Sequence, residues 1–313
     1  MSGVAAVRTI ERVAIIGAGT MGWQIAARTA RSGRVVALYD AMDGAVERAL
    51  GKIRDELPTA LTESGQVWDV PALLGRVRAA GSLAEAVADA DLVIEAVREH
   101  LPTKREVFAE IDRLAPHAIL ATNSSSLPSA TLADTVTRPE RLLNMHFFSP
   151  IWQREMLEVM SCGETDQAVI DTAMDFGRSL GLITAEVRGQ SMGFIINRVW
   201  RAVKRESMRV VDEGHATPED VDRLWMGFFG TPTGPFGVMD MVGLDVVSDI
   251  EASYVAVTLD PTDRVSPTLG VKVAAGELGE KTGQGFYAHP NPAFREPGFL
   301  RGTSEPPADR GDD

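Results

Sequence analysis

His146 and Glu158 are the first groups in this chain whose types and spacing suggest proton transfer. They lie in RLLNMHFFSPIWQREMLEVM, residues 141–160, which reads as two short β-segments joined by a loop. The first, Leu142 to Phe148, stops at Ser149-Pro150, because proline lacks an amide hydrogen and fixes φ. The second, Met156 to Met160, is apolar apart from Glu158. Segments this close in sequence usually lie side by side, so the two groups can face each other across the pair. A carboxylate in an apolar strand is costly to bury unpaired. An imidazole partner would answer that cost, fix the tautomer and raise the basicity that a general base needs. The competing reading is a satisfied core histidine beside a surface glutamate.

A second constellation surrounds Gly17-Ala18-Gly19-Thr20-Met21-Gly22. The apolar, β-branched run Arg12 to Ile16 precedes it, a helical stretch from Trp23 to Ser32 follows, and a strand from Val35 to Tyr39 ends at Asp40. Strand, GxGxxG, helix, strand and acid come in the order a dinucleotide site demands. Gly17 allows the tight turn, Gly19 lets a pyrophosphate approach the backbone, and Gly22 lets helix and strand pack closely. The loop, with Thr20 and Met21, presents free amides to the phosphates. Asp40, 23 positions beyond Gly17, would bind the adenosine ribose and repel a 2′-phosphate, favouring NAD over NADP.

The elements that must hold these groups alternate. An amphipathic helix is expected from Met42 to about Leu61, ended by Pro58 and Ser64-Gly65, and another helical piece from Val70 to Val77. A capped helix begins after Ser82, and Leu92 to Val97 is a buried strand. Thr103 to Leu114 is a helix, and Ile119 to Thr122 a strand ending at Asn123-Ser124-Ser125-Ser126. The alternation predicts a doubly wound parallel sheet, whose ligands bind beyond the C-terminal strand ends. Asp40, Glu99 with Lys104, the Asn-Ser-Ser-Ser cluster and His146 all fall at such ends.

After a helix from Thr165 and a last strand, Leu182 to Val187, the texture becomes helical. The expected organisation is a dinucleotide-binding domain at 1–190, an all-α domain at 191–289 and a poorly ordered tail, or an arm on a neighbour, at 290–313. Within the helical part, Asn197 stands in the apolar run FIINRV and needs a core partner or a ligand. Arg198, Arg201, Lys204, Arg205 and Arg209 make one basic stripe, either a solvated face or a dock for an acidic partner.

Composition narrows the classes. The chain has 313 residues, 44% hydrophobic and 24% charged, as in soluble globular proteins. The net charge of -13 argues against nucleic acid or an anionic membrane surface as partner. No apolar run is long enough to span a membrane, and the N-terminus does not read as a signal peptide. The lone Cys162 fits a reducing cytoplasm. The five histidines are dispersed without metal-ligand spacing.

Together VAIIGAGTMGWQIA, DLVIEAVRE, TNSSSLP, MHFFSP with LEVM, GFIINRV, GPFGVMDMVGLD and KTGQGFY resemble the L-3-hydroxyacyl-CoA dehydrogenase family over nearly the whole chain. The resemblance implies a Rossmann-type domain, an all-helical C-terminal domain that forms a homodimer interface, and NAD-dependent oxidation of a 3-hydroxyacyl thioester. It implies His146 as base, Glu158 orienting it, Ser125 holding the substrate oxygen and Asn197 touching the reacting portion. It also implies Glu99, Lys104 and Lys281 along the cofactor, beside the loop glycines and Asp40. Ser149 stands where the family usually has asparagine beside cofactor and substrate, Asn144 where glycine is usual, and Met192 where proline is usual. The segment DELPTALTESGQ lacks the lysines the family commonly offers to CoA phosphates. That departure would suit a thioester carried on something other than CoA, but the substrate the resemblance implies first is an acyl-CoA. The same chemistry on an acyl-carrier-protein thioester, a free-hydroxyacid dehydrogenase of the crystallin-like branch, and a non-catalytic NAD-binding protein stand as alternatives.

Overall fold

The computed structural model describes residues 9–256, 258, 260 and 263–302, in two compact units that divide between Ile195 and Ile196. The first unit is built on eight strands: β1 (Arg12–Ile16), β2 (Val35–Tyr39), β3 (Val77–Ala79), β4 (Leu92–Glu95), β5 (Ile119–Thr122), β6 (Leu142–Phe147), β7 (Met156–Ser161) and β8 (Ile183–Val187). They lie in the order β3-β2-β1-β4-β5-β6-β7-β8, with every neighbouring pair parallel except β6 and β7. The order reverses between β1 and β4, where an open α/β sheet leaves its ligand crevice.

Buried strands need apolar residues on both faces. Val13, Ile15, Leu38 and Ile94 join one core layer, while Ala14, Ile16, Ala37 and Val93 join the other. Helices α1 (Thr20–Arg31), α2 (Ala45–Asp55), α3 (Leu57–Glu63), α4 (Val70–Leu74), α5 (Leu83–Val87), α6 (Leu101–Leu114) and α7 (Gln167–Ser179) complete the unit. Gly33, in the left-handed region at φ +92°, follows α1 and leads the chain into β2.

Two local expectations fail here for identifiable reasons. The helix expected from 42 to 61 is two helices meeting at Glu56, and Pro58 opens the second instead of ending the first. A missing N–H is harmless in a first turn, where the amides have no carbonyl partner within the helix. The helical piece expected to reach Val77 stops at Leu74, and Val77–Ala79 pairs with β2 as an edge strand too short to show a period.

The second unit is helical among its described residues: α8 (Ile196–Asp212), α9 (Pro218–Phe229), α10 (Pro235–Val242), α11 (Leu244–Val255) and α12 (Pro267–Ala274). Phe236, Met239, Leu244, Val247, Leu269, Phe286 and Tyr287 form its core. Phe294 and Phe299 belong to the same core, held in two short 3-10 turns, so residues 290–302 are packed and not a loose tail. Two aromatic rings buried among others outweigh the proline and glycine content that made this stretch look unstructured. The rest of the expected tail, 303–313, lies outside the described residues.

Candidate functional site

The loop between β1 and α1 has the form its glycines predict. Gly17 has φ +104°, and a Cβ there would sit 2.6 Å from the Ala96 carbonyl oxygen. A Cβ on Gly22 would come within 1.8 Å of the Gly17 carbonyl oxygen, so helix and loop approach at a distance only glycine permits. Gly19 has nothing within 4 Å of its Cβ position and caps α1 without any side-chain hydrogen bond. The first-turn amides of α1, including those of Thr20 and Met21, therefore lack a side-chain cap, the donor set that suits a pyrophosphate. Asp40 Oδ2 accepts from Ala18 N at 2.7 Å and Oδ1 from Met42 N at 2.9 Å. A carboxylate has about four acceptor positions, which leaves capacity for ribose hydroxyls. These residues fit NAD.

At the ends of β4 and β5 lies a buried ion cluster. Glu95 accepts from Lys104 Nζ at 2.7 and 2.8 Å and from Thr122 Oγ1 at 2.7 Å. Lys104 also lies 3.2 Å from Glu99 Oε2, and it is only 1% exposed. Its three donors are thus taken by carboxylates, and its side chain is a support for the strand ends. Glu99 accepts from Ser124 Oγ and, at 2.7 Å, from Ser126 Oγ. Burial pushes the Glu95 carboxyl up, opposed by Lys104. Burial would also raise Glu99, but the bonds from Ser124, Lys104 and Ser126 hold it below the usual range. Ser125, between these serines, is exposed and has no hydrogen-bond partner among the described residues.

β6 runs past β5 and pairs antiparallel with β7, placing His146 opposite Glu158. The imidazole Nδ1 lies 2.9 Å from Glu158 Oε2, and Glu158 Oε1 accepts from Ile195 N at 2.9 Å. Both residues are buried, each 4% exposed. Phe148 and Phe194 stack on the imidazole with ring centroids 4.3 and 5.1 Å away. Phe194 adopts the left-handed φ of +55°, a costly conformation for an aromatic residue. With Nδ1 engaged by the carboxylate, Nε2 is the nitrogen available to a proton. Ser149, before a cis proline, accepts a 3.0 Å bond from Gln24 Nε2, while Gln24 Oε1 accepts from Ile151 N.

Two proposed site residues belong to the other unit. Asn197 stands in the first turn of α8, and Lys281 Nζ bonds both oxygens of Asp245 at 2.5 and 2.6 Å. The basic stripe of α8 is largely neutralised where it stands. Arg201 binds Asp263 and Glu251, and Lys204 lies 3.1 Å from Glu251. The solvated or docking face expected for Arg201 and Lys204 is therefore a partly buried ion network.

Glu95, Gln24 and Phe194 escaped sequence reasoning. Glu95 carried a visible signal, since a carboxylate in LVIEAV raises the same question as Glu158 in LEVM. Gln24 and Phe194 carried none, because their contacts depend on loops folding back.

Residues 12–190 match the family model described as 3-hydroxyacyl-CoA dehydrogenase, NAD binding domain, and residues 193–289 match the model for its C-terminal domain. The chain is 35% identical over 290 residues to the 5-formyl-3-hydroxy-2-methylpyridine 4-carboxylate 5-dehydrogenase of Mesorhizobium japonicum, covering 90% of this chain and 91% of that protein. It is 32% identical over 289 residues to human mitochondrial hydroxyacyl-coenzyme A dehydrogenase, with coverage of 90% and 91%. Among solved structures, the (S)-3-hydroxybutyryl-CoA dehydrogenase of Ralstonia eutropha aligns with a TM-score of 0.82 at 30% identity, over 90% of this chain and 100% of that one.

Proposed function

The chain belongs to the 3-hydroxyacyl-CoA dehydrogenase family, and on that premise we propose that it interconverts an L-3-hydroxyacyl-CoA and its 3-ketoacyl-CoA with NAD as cofactor. The observation that carries this reading is the buried His146–Glu158 pair on the C-terminal side of the sheet. In the oxidative direction, His146 Nε2 takes the proton of the substrate hydroxyl as the carbinol carbon gives up its hydride. NAD, when bound, supplies the hydride acceptor. Glu158 holds the tautomer and stabilises the imidazolium that forms, its second oxygen anchored by Ile195 N. Ser125 donates its free hydroxyl to the reacting oxygen, where negative charge is greatest midway through the reaction. Asn197 contacts the acyl portion, and Ser149 lies beside the nicotinamide, braced by Gln24. Gly17, Gly19, Thr20, Met21, Gly22 and Asp40 hold the adenine half, Asp40 against a 2′-phosphate. Glu99 and Lys281 line the cofactor, with Lys104 behind Glu99.

The engagement of Arg201 and Lys204 within their own unit takes two of the five cations of the basic stripe away from an acidic carrier protein, which favours CoA as the thioester carrier. The protein works in the reducing cytoplasm as a homodimer, a reading supported by its lone cysteine and by Leu224, Phe228 and Phe229, which are exposed in the single chain. No helix among the described residues is long and apolar enough to cross a membrane.

The decisive test is NADH oxidation by the purified protein with acetoacetyl-CoA. The expected result is turnover on the order of tens per second, reduced roughly 10²–10⁴-fold in His146→Ala with the fold intact. NADH binding without turnover would refute the CoA reading and direct the search to carrier-protein thioesters and free acids.

A further inference from the structure

The loop after β5 is fastened on both sides, and the fastening isolates one hydroxyl. On one flank Asn144 Oδ1 accepts from Ser129 N at 2.6 Å, its Nδ2 donates to Leu127 O at 3.2 Å, and Asn123 Oδ1 accepts from Phe147 N at 3.0 Å. On the other, Glu99 binds the hydroxyls of Ser124 and Ser126 and the Ser126 amide. Ser124 and Ser126 are thereby spent, and Ser125 alone keeps its hydroxyl free. The position of that hydroxyl follows the position of Glu99.

Glu99 is itself positioned from behind. It is held by Lys104, and Lys104 by Glu95, which is fully buried and accepts from Val97 N, Lys104 and Thr122. Thr122 Oγ1 in turn accepts from Ser124 N at 3.2 Å, so Glu95 reaches the serine loop by two routes. A buried pair of this kind is expensive, and apolar residues of similar volume would serve stability at least as well. Both routes end on the residues flanking Ser125.

We propose that Glu95 is a positioning residue for the reaction, acting through Lys104, Glu99 and Thr122 to set where the Ser125 hydroxyl meets the substrate oxygen. The proposal rests on the thioester dehydrogenase reading. Glu95 touches no substrate, and its effect must therefore vanish when the Ser125 hydroxyl is absent.

The test is a double-mutant cycle on kcat/KM for acetoacetyl-CoA, with wild type, Glu95→Gln, Ser125→Ala and the combined variant. Glu95→Gln should lose about tenfold, and the combined variant should be no more than about twofold worse than Ser125→Ala alone. Losses that multiply would overturn the proposal, as would a lowered Tm with unchanged kcat/KM. If Glu95→Gln does not fold, the neutral pair Glu95→Gln with Lys104→Met replaces it in the same cycle, since it leaves no uncompensated buried charge. An inactive wild type defeats the thioester reading itself, whereas an active one with multiplicative losses defeats only the role of Glu95.

Discussion

In the sheet unit the buried carboxylates Glu95 and Glu158 face an ammonium and an imidazole. In the helical unit Asp222 and Asp240 are as deeply buried, but both clamp successive backbone amides. Asp222 accepts from Phe236 N and Gly237 N, and Asp240 from Phe286 N and Tyr287 N, all at 2.8–2.9 Å. Glycines admit them: a Cβ on Gly234 would lie 2.4 Å from Asp222 Oδ1, and one on Gly285 would lie 2.2 Å from Asp240 Oδ1. The same costly group thus serves two ends. At the strand ends it holds a functional side chain in place, whereas over paired amides it fixes the path of the chain.

Replacing each carboxylate by its amide should separate those ends. Glu158→Gln should cut kcat on the order of 10²–10³-fold while leaving the melting temperature within a few degrees, because the imidazolium loses its counter-charge but not its shape partner. Asp240→Asn should do the reverse. It sets an NH2 group against an amide N–H or against His289 Nε2, which now lies 3.1 Å from the carboxylate. A loss of about 2–4 kcal/mol in urea unfolding is expected. Equal effects of the two variants on stability would erase the distinction.

A pH dependence sharpens the contrast. Burial pushes Asp222 from 3.8 up to about 6, against the opposing pull of the Phe236 and Gly237 amides and the Tyr287 hydroxyl. The folded state therefore holds this proton more tightly than the unfolded chain does. Its contribution to stability is full below the unfolded value of about 3.8 and is lost as pH rises through 6, a change of about 3 kcal/mol. Carboxyl-carbon NMR should show Asp222 titrating near 6. A midpoint near 4 would mean that the amides outweigh burial.

These pairs also mark what can be read from the chain alone. Glu158 was legible because its partner is close by in an adjoining segment, so strand pairing makes the contact almost inevitable. Asp222 and Asp240 were not. Each sits in a helical stretch where an acid reads as solvent-facing, and their amide partners lie 14 and 46 positions onward, across turns that sequence does not place. The sheet was legible through its buried runs and the glycine loop, except β3, whose three residues carry no period. The packed residues 290–302 were hidden because Phe294 and Phe299 stand singly among prolines and charges.

The smallest expected effect lies in the glycine loop, where two of its glycines should answer differently to the same methyl group. At Gly22 a Cβ meets the Gly17 carbonyl oxygen at 1.8 Å, so Gly22→Ala must force α1 off the loop and lower stability and cofactor affinity together. At Gly19 the backbone is extended, φ −69°, and a Cβ meets nothing within 4 Å. Alanine is therefore tolerated by the fold, and the methyl group fills only the space a pyrophosphate would enter. Gly19→Ala should keep the melting temperature within about a degree while weakening NADH binding about tenfold, or about 1.4 kcal/mol. Fluorescence titration with NADH alongside a thermal melt reads both. Unchanged affinity would mean that the phosphates do not approach Gly19, and the cofactor's path over the α1 terminus would have to be redrawn.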